Sequence, residues 1–144
     1  ITALGILGDY RALDIFDMII NTKQMFLDKF SYLKESMVEA LGKFDISKDK
    51  RALNILKKSI LDQSPRLRIT TIETLMNSDF GCSYDLIYDR LLYDDDIEVK
   101  KNALIALYNI SDKKILFEVL NQDFPKELKD CAQDILNNYE DDNE

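Results

Sequence analysis

Apolar residues along this chain recur three, four and seven positions apart. Leu33, Met37, Ala40, Leu41 and Phe44 mark one stripe of a 3.6-residue helix. The stripe belongs to a longer frame: an Asp, an apolar residue five positions later, then a basic residue, a small or apolar one three further on, and a leucine after four more. Asp94, Val99, Lys100, Ala103 and Leu107 fit it. So do Asp62, Leu67, Arg68, Thr71 and Leu75; Asp123, Leu128, Lys129, Ala132 and Leu136; and Asp28, Leu33, Lys34, Met37 and Leu41. The four Asp positions are 34, 32 and 29 residues apart, a spacing typical of helical-pair repeats.

A second, shorter apolar helix precedes each Asp, in RALDIFDMII, RALNILKKSIL, SYDLIYDRLLY and KKILFEVL. Ser64 before Pro65 reads as a cap followed by a proline at the first helical position, where its missing N–H costs nothing. Asp9, Asp49, Ser83 and Ser111 or Asp112 stand where caps would open the other helices. Residues 21–27, NTKQMFL, read as an insertion in the first full unit. One such pair cannot bury its apolar face alone, so the pairs are expected to stack on a shared core.

The fold expected is all-α: a right-handed α-α superhelix, or solenoid, of stacked antiparallel helix pairs. As a single domain over 1–144, it would comprise the second helix of a truncated unit (1–8), pairs at 9–45, 46–80, 81–110 and 111–139, and an acidic tail at 140–144.

The phrases Ala3-Leu4-Gly5, Gly8-Asp9 and Arg11-Ala12-Leu13, echoed by Ala40-Leu41-Gly42 and Arg51-Ala52-Leu53, resemble HEAT repeats. So does Asp62, Pro65, Leu67 and Arg68. The likeness is greatest to the short HEAT-like kind named after phycocyanobilin lyase subunits. It implies that each Asp caps the turn inside a unit and that the basic residue bonds across stacked units. Asp28, Asp62, Asp94 and Asp123 would then form a ladder with Lys34, Arg68, Lys100 and Lys129. The resemblance covers nearly the whole chain and specifies architecture, not activity.

Charge and composition narrow the function. A net charge of −8 works against phosphate backbones and anionic membranes. Arg11, Lys48, Lys50, Arg51 and Lys113-Lys114 could form a basic edge, but Asp9, Asp45, Asp49 and Asp112 dilute it, and no nucleic-acid partner is expected. The sequence holds 0 histidines, which removes Ser-His-Asp and Cys-His chemistry and His-ligated metals from this segment. It carries no glycine-rich phosphate loop. The run Asp94-Asp95-Asp96 lacks the alternating oxygen ligands and glycine of a calcium loop. No catalytic residue, metal or cofactor is therefore expected. Cys82 and Cys131 match no zinc spacing and are expected as unpaired thiols. No apolar run is long enough to span a bilayer, so no membrane insertion is expected, and a cytoplasmic setting is. The chain opens without Met inside an apolar pattern, and is expected to be a segment of a longer protein.

Protein recognition remains. Projected from the basic residue, the outward positions of the second helices are Glu35, Glu39 and Gly42; Ile69, Glu73 and Met76; Lys101, Ile105 and Tyr108; and Asp130, Asp134 and Asn137. The middle two sets are apolar with interspersed charge. Ile69, Glu73, Met76, Lys101, Ile105 and Tyr108 are either a partner-binding patch or part of the packing against neighbouring helices. The function expected is a non-enzymatic scaffold binding a protein or peptide of basic character. The alternatives are a regulatory domain of an enzyme whose catalytic part lies elsewhere, and a lyase-like or chaperone-like subunit holding a small apolar ligand.

Overall fold

The computed structural model describes residues 11–21, 28–43, 49–78 and 80–142, with the backbone alone at 28–31. Their regular structure is helical: α1 (Ala12–Ile20), α2 (Asp28–Leu41), α3 (Lys50–Ser59), α4 (Pro65–Met76), α5 (Ser83–Tyr93), α6 (Ile97–Ile110), α7 (Lys114–Asn121) and α8 (Lys126–Asp142). No strand occurs among the described residues. The expected helix at 1–8, the Asp9 cap, positions 22–27 of the insertion, Phe44, Asp45, Lys48, the Asp28 side chain and the last two residues of the tail lie outside them.

Capping side chains place several helix starts. The Asp49 carboxylate accepts the Arg51 N–H at 2.8 Å and opens α3. Ser64 Oγ accepts the Leu67 N–H at 3.4 Å, and Pro65 follows as the first residue of α4. Each such cap satisfies an amide that has no partner inside its helix, at roughly 1 kcal/mol. Ser83, expected as a cap, is instead the first residue of α5; its amide donates to Phe80 O at 3.1 Å, and its buried hydroxyl finds no hydrogen-bond partner among the described residues. Ser111 closes α6 by donating to Leu107 O at 2.6 Å, while Asp112 accepts the Lys114 N–H at 2.7 Å just before α7.

Two compact units divide the chain, Ile1–Ser83 and Tyr84–Glu144. In the first, α1 packs on α3 and α2 on α4, and smaller contacts join each helix to its sequence neighbour. Leu13 and Phe16 of α1, Ile55 and Leu56 of α3, Met37 and Leu41 of α2, and Leu67, Ile72 and Leu75 of α4 are fully buried. Each such side chain contributes on the order of 1.5–3 kcal/mol of transfer free energy. The buried hydroxyls of Ser59 and Thr71 donate back to Ile55 O (2.8 Å) and Leu67 O (2.7 Å), which lets polar residues sit in this core. Across the α1–α3 surface Asp14 meets Arg51 at 3.1 Å and Asp17 meets Lys58 at 2.8 Å.

In the second unit α6, α7 and α8 all pack on one another. Val99, Ala103, Leu104 and Leu107 of α6, Leu116 and Val119 of α7, and Leu128 and Ala132 of α8 form the core. Helix α5 is tied to α7 by a hydrogen bond from the Tyr88 hydroxyl to the Glu118 carboxylate, and to α6 by Lys100 Nζ donating to Leu92 O at 3.2 Å. Past Leu136, the α8 residues 137–142 are exposed.

Truncating one of these side chains tests the packing. Leu107→Ala should lower unfolding free energy by about 2–5 kcal/mol, whereas Tyr93→Ala, on an exposed ring, should change it by less than about 0.5 kcal/mol. Urea denaturation followed by circular dichroism reads both.

Candidate functional site

Two turns, one in each unit, share one chemistry. Asp62 Oδ1 accepts the Ser64 N–H at 3.0 Å, and Asp94 Oδ1 accepts the Asp96 N–H at 3.0 Å, so each carboxylate closes a turn over the residue two positions on. That residue then caps the next helix. Ser64 does so for α4, and Asp96 does so for α6 by accepting from Glu98 and Val99 at 2.8 and 3.1 Å. The cap of α6 is thus Asp96, a residue the repeat frame leaves out.

The second carboxylate oxygen takes a cation. Asp62 Oδ2 lies 2.9 Å from Lys34 Nζ of α2, a contact between helices with both side chains largely covered. Asp94 Oδ2 lies 3.5 Å from Arg90 Nη1, one turn back on α5. The frame's own basic residues bond to backbone: Arg68 Nη1 donates to Asp62 O at 2.8 Å and Gln63 O at 3.2 Å, and Lys100 Nζ donates to Leu92 O. Arg68 ties the start of α4 back to the turn before it, and Lys100 ties the start of α6 back to the end of α5.

The third turn is different. Asp123 is exposed, and among the described residues neither its carboxylate nor the Lys129 ammonium has a partner. The residue two positions after Asp123 is Pro125, which has no N–H to donate, so the carboxylate-closed turn cannot form. Pro125 instead opens the last helix with its carbonyl, which accepts from Leu128 and Lys129 at 3.0 and 3.1 Å.

On the second-helix faces, α4 carries Ile69 and Met76 half-buried and Glu73 exposed. Helix α6 carries Lys101 and Tyr108 half-buried and Ile105 at 42% exposure. Lys101 Nζ pairs with Glu98 Oε1 on its own helix at 3.1 Å. Glu35, projected outward on α2, is buried instead and meets Arg66 Nη2 at 3.3 Å.

Glu73 belongs to a cleft. The C-terminal halves of α2 and α4 enclose about 340 Å³, lined by Glu39, Gly42, Lys43, Thr70, Glu73 and Asn77 among others. In the second unit a cavity of about 430 Å³ lies by Tyr108, Ser111, Lys113 and Tyr139, with Lys113 Nζ 5.4 Å from the Tyr139 ring centre. Among the described residues no group of three or more acidic or thiol side chains is placed to hold a metal ion. No helix among them is long and apolar enough to cross a membrane.

Local charge shifts follow these contacts. The Arg51 guanidinium, hydrogen-bonded to Asp49, holds that carboxyl below its usual range. Burial pushes the Cys131 thiol up, with Lys101 opposing the shift; both cysteines are free thiols, half-buried. The Tyr88 hydroxyl is pushed up to about 12, first by its hydrogen bond to Glu118 and then by burial. Tyr84, stacked on Tyr88 with ring centres 5.9 Å apart, is raised by burial first.

Compared with protein-family models and with curated proteins, the chain finds no match.

The two turns yield a contrast between residues that share one place in the frame. Asp62→Ala leaves the Lys34 ammonium covered and unpaired, and should cost roughly 3–5 kcal/mol. Asp123→Ala should cost less than about 0.5 kcal/mol. Equal effects in urea titrations would contradict the assignment.

Tyr88 governs an alkaline limb of stability. Its folded pKa lies above the ordinary value of 10.0, so the folded state holds the proton more firmly. The contribution is complete below pH 10 and disappears as pH rises through about 12. The difference in stability between the wild-type chain and Tyr88→Phe should therefore narrow across that window. A difference independent of pH would refute it.

Proposed function

We propose that the chain is a HEAT-like array of helix pairs, wound as a right-handed solenoid, that binds a polypeptide on the face of its second helices and performs no chemistry itself. Two local observations support the architecture. In the first unit alternate helices pack on each other, α1 on α3 and α2 on α4, as layers of paired helices would. The Asp62 and Asp94 turns, 32 residues apart, repeat the same hydrogen bonds and the same backward reach of a basic side chain.

The observation that carries the function is the exposure of the second-helix face. Ile105 is 42% exposed on a helix whose opposite stripe, Val99, Ala103 and Leu107, is fully buried. A large aliphatic side chain presented beside Lys101 and Tyr108 suits an anchor within a polar rim. On α4 the equivalent positions are Ile69, Glu73 and Met76, and Glu73 opens onto the cleft. The mixed polar lining of that cleft favours a polypeptide over a small apolar ligand. With a net charge of −8, the partner is expected to be basic, and a nucleic acid is disfavoured. The setting proposed is the cytoplasm, where the two unpaired thiols would stay reduced.

Panning a random-peptide display library against the 144-residue chain tests this reading. The enriched sequences should be rich in basic and apolar residues. The variant Ile105→Ser/Tyr108→Glu should weaken the selected peptides by at least about tenfold while its melting curve stays close to the wild type. Absence of enrichment over a blank surface would overturn the reading. A large loss of stability in the variant would assign Ile105 and Tyr108 to the core.

A further inference from the structure

The cleft between the ends of α2 and α4 is unusual in what its polar atoms have left to offer. Thr70 Oγ1 donates its proton to Arg66 O at 3.0 Å, and Thr74 Oγ1 donates to Thr70 O at 3.0 Å. Asn77 Nδ2 donates to Glu73 O at 2.9 Å. With those protons engaged in the helix, the two threonine hydroxyls have only lone pairs left, while Asn77 keeps its Oδ1 and one amide N–H. Glu39 and Glu73 add a carboxylate from each wall, and Ser36 adds a hydroxyl that can accept or donate. The lining is thus dominated by acceptors.

The backbone points in the same direction. Residues 36–43 and 70–77 form the cleft, so it collects the C-terminal ends of two helices, α2 of 14 residues and α4 of 12. Both ends carry partial negative charge, and neither helix has a basic residue in its last turn. Among the described lining residues the one cation is Lys43, just beyond α2.

We propose that this cleft receives the guanidinium of an arginine from a partner polypeptide. Five N–H donors in a planar fork suit a site whose two walls both accept, and the carboxylates of Glu39 and Glu73 supply the counter-charge. A ligand that only accepts hydrogen bonds would leave these groups unpaired. Lys43 acts against the incoming cation and limits its affinity. The assignment rests on the polypeptide-binding reading above and specifies the side chain that reading would seat on α4.

The test uses the 144-residue chain and a short fluorescein-labelled peptide of alternating arginine and glycine, followed by fluorescence anisotropy. Glu39→Gln/Glu73→Gln should weaken binding by about tenfold or more, and Lys43→Gln should strengthen it a few-fold. A charge-matched control, Asp85→Asn/Asp89→Asn on the exposed face of α5, should leave it unchanged. No binding by the wild-type chain, or equal losses in the cleft and control variants, would overturn the proposal. If display panning still yields peptides in that case, polypeptide binding stands and only the cleft assignment falls. If neither experiment finds a ligand, both fall.

Discussion

A single carboxylate with two jobs organises the first unit. One oxygen of Asp62 closes the turn that precedes α4, and the other holds the ammonium of Lys34 on α2. The pair is largely covered, so each charge depends on the other for the solvation it has given up. Arg68 completes the arrangement by donating to the carbonyls of the same turn. Helix start, turn and helix–helix contact are thereby one object, and the apolar stripes of α2 and α4 meet in the register that it sets.

The same chain chemistry is reused with a different cation at Asp94, where Arg90 reaches forward from the preceding helix. It is abandoned at Asp123, where proline removes the donor. Similar frames in sequence therefore produce anchors of unequal strength. The ends of α2 and α4 away from the Asp62 turn have the opposite character: Thr70, Thr74 and Asn77 each give a proton to a helix carbonyl there, and Glu39 and Glu73 line the cleft beside them. Charge is paired in the turn, whereas the Glu39 and Glu73 carboxylates stand in the lining of the cleft.

The helices themselves were legible in the sequence because burial on one face imposes a 3.6-residue period on any helix in water. Met37 and Leu41, Leu67 and Leu75, and Val99 and Leu107 all fall on the buried stripe that the frame places there. The caps at Asp49 and Ser64 were legible for a similar reason, since a short acceptor before an amphipathic run has one common use. Ser83 shows the limit of that inference: a serine before a helix can equally be taken inside it. Asp96 shows the reverse. In a run of three acids, the frame marks the first, yet the cap falls to the last because Asp94 is already engaged in closing the turn.

By itself, the order of residues determined that this chain is helical, where most of its helices begin, and that histidine-based chemistry is outside its reach. Those properties depend on neighbours within a turn or two of helix. The pairing of Lys34 with Asp62, the burial of Glu35 against Arg66, the tie from Tyr88 to Glu118 and the cleft between α2 and α4 were decided only by the tertiary structure. Each joins residues about 30 positions apart, such as the 28 between Lys34 and Asp62. A one-dimensional period says which face of a helix is covered, but the rotation and offset of two packed helices decide which polar side chains meet there.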